Sequence, residues 1–156
     1  MIRDKATPRF AYKEYAMSID GDKVVIDGRT TFVSADLSRH LKGCRQCVIL
    51  AATLGHTVDR ILKKLQYTDM AKALETDIQA NLLIEEICDN LQEQIAKQAL
   101  DKGHQITNRY GVGYGDFLLE NQSTLLRLSG IKGITVTDSN LLLPQKSVTA
   151  IVGVRE

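Results

Sequence analysis

The sequence predicts an α+β domain, a mainly antiparallel twisted sheet packed with a long central helix and shorter helices. Three observations predict it. Strand patterns fill the start of the chain and return at its end, without the regular βαβα alternation of a doubly wound sheet. Between them runs a stretch from Thr68 or Asp69 to Lys102 that contains neither proline nor glycine. Cys47-Val-Ile-Leu-Ala-Ala is a continuous apolar run, the pattern of a strand buried on both faces.

Each element has its local reason. From Arg9 to Ile19, Phe10, Tyr12 and Tyr15 alternate loosely with charge, and Asp20-Gly21-Asp22 is a turn signal. Lys23 to Ile26 then completes a β-hairpin, and Thr30 to Val33 follows Asp27-Gly28 as another extended piece. Ser34 is an N-cap for a short helix that stops at Gly43. After the apolar strand, Gly55 breaks the chain, and Val58, Ile61, Leu62 and Leu65 share one side of a helix from about His56 to Gln66.

The long helix is roughly 50 Å if straight. Steps of about 100° place Met70, Ala73, Leu74, Ile84, Cys88, Leu91, Ile95 and Ala99 on an apolar stripe. Asp77, Asn81 and Glu85, spaced i, i+4, i+8, fall in or beside that stripe. Carboxylates aimed inward cost several kcal/mol unless partnered, so the row points either to a polar cavity or ligand, or to a hydrogen-bonding network at the helix edge. Beyond Gly103, Gln105 to Arg109 reads as a strand and Tyr110-Gly-Val-Gly-Tyr-Gly as a loop. Asp116 is in place to cap a helix reaching about Leu128. Ile134 to Thr137 and Ser147 to Val154 are strands, separated by the turn Asp138-Ser-Asn and by Pro144.

Composition narrows the function. The 156 residues, 25% of them charged, carry a net charge of +1, which suits one domain spanning 1–156 and removes the basic footprint of a nucleic-acid binder. The N-terminus has no apolar signal core and the chain no apolar run of about 18 residues, so a cytoplasmic protein without a membrane partner is expected. Cys44, Cys47 and Cys88 are too few for a disulfide framework.

The glycines at 111, 113 and 115 fit neither the dinucleotide fingerprint, which needs glycine where Asp116 stands, nor a phosphate loop, which needs a following G-K-[ST]. They leave two readings: a backbone free to approach a ligand, with Arg109 beside it, or a tight turn. Cys44-Arg-Gln-Cys47, with His40 upstream, matches half of a zinc site or a redox pair. A second pair is missing and Cys47 opens an apolar strand, so core packing is the expected role.

Arg109-Tyr-Gly-Val-Gly113-Tyr114 matches the signature R-x-x-x-G-Y, and Gly115-Asp-Phe-Leu-Leu-Glu-Asn-Gln122 resembles G-Y-G-D-F-P-L-x-x-Q without its proline. With Ala51-Ala-Thr-Leu-Gly55, Ile84-Glu-Glu-Ile-Cys-Asp89, Thr137-Asp-Ser139 and Pro144 to Gly153, these stretches make the chain resemble the activation domain of cobalamin-dependent methionine synthase, particularly its short stand-alone relatives. The resemblance implies binding of S-adenosylmethionine by Glu85, Arg109, Gly111, Gly113 and Tyr114, and the helical spacing expects Asp77 and Asn81 to line the cavity beside Glu85. It implies reductive methylation of cob(II)alamin on a partner such as methionine synthase, fed by a one-electron donor such as flavodoxin or ferredoxin, with activity only alongside that partner. Longer relatives carry a helical segment ahead of the position of Pro8, which this chain is expected to lack. A non-catalytic docking or corrinoid-chaperone subunit is the alternative, and a Cys44/Cys47 redox or metal protein the third.

Overall fold

A computed structural model describes residues 2–156. A short helix, α1 (Ile2–Lys5), leads into β1 (Arg9–Asp20), whose first half pairs with β4 (Gln46–Thr53) and whose second half pairs with β2 (Lys23–Ile26). β3 (Thr30–Val33) extends the hairpin, and β8 (Ser147–Arg155) lies along the other side of β4. β5 (Gln105–Ile106) closes the far edge, giving an antiparallel sheet in the order β3-β2-β1-β4-β8-β5. The α+β architecture is as the sequence predicts.

β4 is central because nothing in it needs water. Cys47 to Thr53 are all buried, and their side chains alternate between two cores. Cys47 and Ile49 join Phe32, Leu37, Leu41, Phe117, Leu125 and Ile151 on one face, under α2 (Ala35–His40) and α5 (Gln122–Ser129). Val48 and Leu50 join Ala150, Val152, Leu91 and Ile95 on the other, under the C-terminal half of α4 (Met70–Asp101). Each such buried aliphatic side chain stabilises the fold by about 1.5–3 kcal/mol.

Asp69 both ends α3 (His56–Thr68) and caps α4, its carboxylate accepting from the Lys72 N–H at 3.2 Å. The two helices form a tight hairpin through Val58, Leu62, Ala80, Leu83 and Ile84. Here the structure corrects the apolar stripe: Met70 and Leu74 are 57% and 62% exposed. α4 packs on α3 through Ala80, Leu83 and Ile84, so the buried line runs from Ala73 through Ala80 and Leu83 rather than from Met70.

Asp116 also departs from expectation. It caps no helix of its own, because α5 starts at Gln122 after a 3-10 turn at Leu119–Asn121. Its carboxylate reaches back to the start of α2, accepting from the Ser34 hydroxyl at 2.5 Å and from the Ala35 and Asp36 N–H groups at 3.0 Å. β6 (Thr135–Val136) and β7 (Leu142–Leu143) form a separate two-stranded ribbon. No helix among the described residues is long and apolar enough to cross a membrane.

Candidate functional site

The site is built on the sheet edge. Beyond β5 the chain continues along β8: the Thr107 N–H donates to the Gly153 carbonyl, and Tyr110 and Ile151 exchange both backbone bonds, each at 2.9 Å. In such extended backbone, successive side chains leave on opposite faces. Arg109 therefore turns toward α4, and Tyr110 toward the core under α2.

Three acceptors on successive turns of α4 meet Arg109. Its Nη1 donates to Gln92 Oε1 at 2.9 Å, and its Nη2 approaches Glu85 Oε2 at 3.2 Å and Asp89 Oδ1 at 3.0 Å. The guanidinium side chain is 19% exposed, whereas Glu85 and Asp89 are 61% and 70% exposed. A largely buried cation is thus held by carboxylates that remain open to water on their other side. One turn further toward the helix N-terminus, Lys146 donates to Asp77 and Asn81 at 2.7 Å each. Asp77, Asn81, Glu85 and Asp89 form one i, i+4 row, and two cations from the other side of the fold lie across it. The row faces these cations and solvent, since Asn81 and Glu85 are exposed and Asp77 half-buried. Alongside it, Asp89, Gln92, Glu93, Ala96, Ile106, Thr107 and Asn108 line an open recess of about 360 Å³. Glu85, Arg109, Gly111, Gly113 and Tyr114 are not among its lining residues.

The glycine loop occupies the other face. Tyr110 stacks with His40, Tyr114 and Phe117 at centroid distances of 4.8, 5.5 and 6.2 Å, and its hydroxyl donates to the Tyr114 carbonyl. Burial raises the Tyr110 phenol above its ordinary pKa. Phe117, fully buried, packs edge-on against Phe32 at 5.3 Å and anchors the loop. Gly113 and Gly115 take the left-handed conformation, with φ of +87° and +53°. At Gly115 a Cβ would also lie 2.1 Å from Asp36 Oδ2, so a side chain is excluded twice over. The Ser34 hydroxyl, then the N–H donors at the start of α2, hold Asp116 below the usual carboxylate range.

Glu85 and Arg109 are thus brought together, with Gly111 and Gly113 leading away from Arg109. Tyr114 packs with Tyr110 and is 60% exposed. Asp89 was legible in the sequence as the next member of the i, i+4 row. Gln92 and Lys146 had no such signal, Lys146 arriving from 65 residues away. Cys44 and Cys47 are buried free thiols. Burial raises both, Cys47 to about 12, and likewise Cys88 on α4 to about 11. Among the described residues no group of three or more His, Cys, Asp or Glu side chains is placed to hold a metal ion.

No family model matches the sequence, and neither does any curated protein. The fold is similar to the crystal structure of the MetH reactivation domain bound to AdoHcy, with a TM-score of 0.72 at 16% identity. The match covers 97% of this chain and 59% of that one, so the chain spans less than two thirds of its neighbour's length.

Proposed function

We propose that this chain binds S-adenosylmethionine and acts as a reactivation factor, supporting reductive methylation of cob(II)alamin on a partner corrinoid protein such as methionine synthase. The observation that supports this reading is the Arg109 guanidinium, held across Glu85, Asp89 and Gln92 in a fold shared with an AdoHcy-bound reactivation domain.

The residues fit the ligand's chemistry. Arg109 offers a planar fork to an amino-acid carboxylate, and Glu85 offers negative charge to an ammonium or sulfonium. Gly111 and Gly113 leave the backbone bare for close approach, with Tyr114 beside them. When bound, S-adenosylmethionine would supply its sulfonium methyl group to the partner's cobalt, reduced by a one-electron donor such as flavodoxin or ferredoxin, and the S–CH3 bond would break to leave S-adenosylhomocysteine. The chain's own contribution is to fix the amino-acid end of the ligand, so that the methyl group meets the partner in one orientation.

One observation favours a second reading, a docking or corrinoid-chaperone subunit without methyl transfer. Arg109 already donates to Gln92 from Nη1 and to Glu85 from Nη2, and pairs with Asp89, so a carboxylate that takes both Nη groups has to displace one of these partners. Calorimetric titration of wild type and Arg109→Ala with S-adenosylmethionine and S-adenosylhomocysteine tests the site. Saturable binding that Arg109→Ala weakens supports it, and no binding by the wild type overturns it. Binding without methylcobalamin formation on a corrinoid partner with a low-potential reductant favours the second reading.

A further inference from the structure

Along the outer surface of α4, Met70, Leu74, Ile78 and Leu82 follow one another at intervals of four residues, 57%, 62%, 60% and 67% exposed. Tyr67, 84% exposed in the last turn of α3, stands beside their start. Scattered apolar residues on a surface are ordinary, but a continuous ridge of large ones marks an interaction site. The ridge borders the row of Asp77, Asn81 and Glu85 yet takes no part in it.

We propose that the ridge is the interface of a homodimer in which two copies of α4 pack antiparallel about a two-fold axis between Leu74 and Ile78. The ridge is symmetric about that point. Met70 of each copy meets Leu82 of the other, and Leu74 meets Ile78, so large apolar groups face each other throughout. Rows at i, i+4 are the ridges by which helices interdigitate with their own kind. The five side chains expose on the order of 600 Å² per copy, so pairing buries at most about 1,200 Å² in total, the lower limit of specific interfaces.

Charge selects the antiparallel direction. The exposed Glu85, Glu86, Asp89, Glu93 and Asp101 outnumber the cations beside them, Arg3, Arg109 and Lys97, and leave the C-terminal half of the helix acidic. A parallel pair would set these carboxylates against themselves. The antiparallel pair instead brings Glu85 and Glu86 near the partner copy's helix start, with its exposed Lys72 and the positive pole of the helix dipole. Near the two-fold axis, Lys146 neutralises Asp77.

The test is the mass of the purified full chain by light scattering and sedimentation, at up to about 100 µM, a range that detects micromolar self-association. Wild type is expected as a dimer, and Leu74→Glu with Ile78→Glu as a monomer of unchanged circular dichroism. Leu74→Gln with Ile78→Gln serves if the charged pair fails to fold. For direction, Met70→Cys and Leu82→Cys chains are mixed and oxidised, the native cysteines being buried. Mixed cross-links are expected to form on the order of tenfold faster than either chain's own, the effect of one favourable contact geometry. A monomeric wild type overturns the proposal and leaves the ridge to a different protein. A dimer that survives the ridge substitutions, or faster like-with-like cross-linking, overturns it as well.

Discussion

Asp36 and Asp116, 80 residues apart, cap each other's backbone: Asp36 Oδ2 accepts from the Asp116 N–H at 2.9 Å, and Asp116 Oδ1 from the Asp36 N–H at 3.0 Å. The exchange fastens the end of the glycine loop to the start of α2. Arg39 pairs with Asp36 behind it.

Loss of this clasp should appear in thermal melts. Asp116→Ala is expected to lower the Tm by about 2–4 °C at pH 7, the effect of removing an N-cap in a domain of this size. Because the folded-state pKa of Asp116 is depressed, its contribution is complete above the unfolded value of 3.8 and fades as pH falls through the lower folded value. The Tm gap between wild type and variant should therefore close in acid. A gap that stays constant down to pH 2 would count against the clasp.

Gly115 and Gly113 should respond unequally to alanine. Both have positive φ, which costs an alanine about 1 kcal/mol, but Gly115 also has Asp36 in the way, while the nearest atom at Gly113 is 3.8 Å off. Gly115→Ala is expected to be the more destabilising in urea titrations and to open the loop to limited proteolysis. Equal midpoints for the two variants would contradict the close approach.

At the proposed ligand site, Arg109→Ala is expected to weaken S-adenosylmethionine binding roughly ten- to a hundredfold, equivalent to about 1.5–3 kcal/mol for a charge-assisted pair. Arg109→Lys should recover part of this, since an ammonium lacks the planar fork. Asp89→Asn should act in the opposite sense, removing one charged competitor for Nη2. Calorimetry reads all three, and an Asp89→Asn loss matching that of Arg109→Ala would assign Asp89 to ligand contact instead.

Cys47 should be inert in the folded chain. With its pKa at about 12, only about one thiol in ten thousand is ionised at pH 8, and the thiolate is the reactive form. Alkylation followed by mass spectrometry is expected to spare Cys47 until urea is added. The raised pKa also means that stability is complete below the ordinary thiol value of 9.0 and falls as pH rises toward 12, a loss Cys47→Ala should reduce. Rapid native labelling would return Cys44 and Cys47 to the list of reactive groups.

Local chemistry made much of the fold legible. The hairpin turn at Gly21, the cap at Ser34 and the buried run at Cys47 lie within a few residues of the structure they cause. What escaped depends on distant partners. Nothing near Asp116 says that its acceptors serve α2, and nothing near Met70 says that α3 covers the other side of its helix. The same division runs through the candidate site. Glu85 stood out because its row broke the amphipathic pattern, and Arg109 because glycines follow it. Lys146 and Gln92 entered only when the sheet edge and α4 were laid side by side.

The stretch from Gln105 to Tyr110 has a second duty. By pairing with β8 from Arg155 back to Ile151, it occupies hydrogen-bonding groups that would otherwise form an open strand edge rich in valine and isoleucine. Such an edge invites a strand from another molecule and, with it, aggregation. Protection of the sheet edge and the proposed ligand contact of Arg109 therefore share one segment of six residues, and substitutions that loosen it risk precipitating the protein before they alter any affinity.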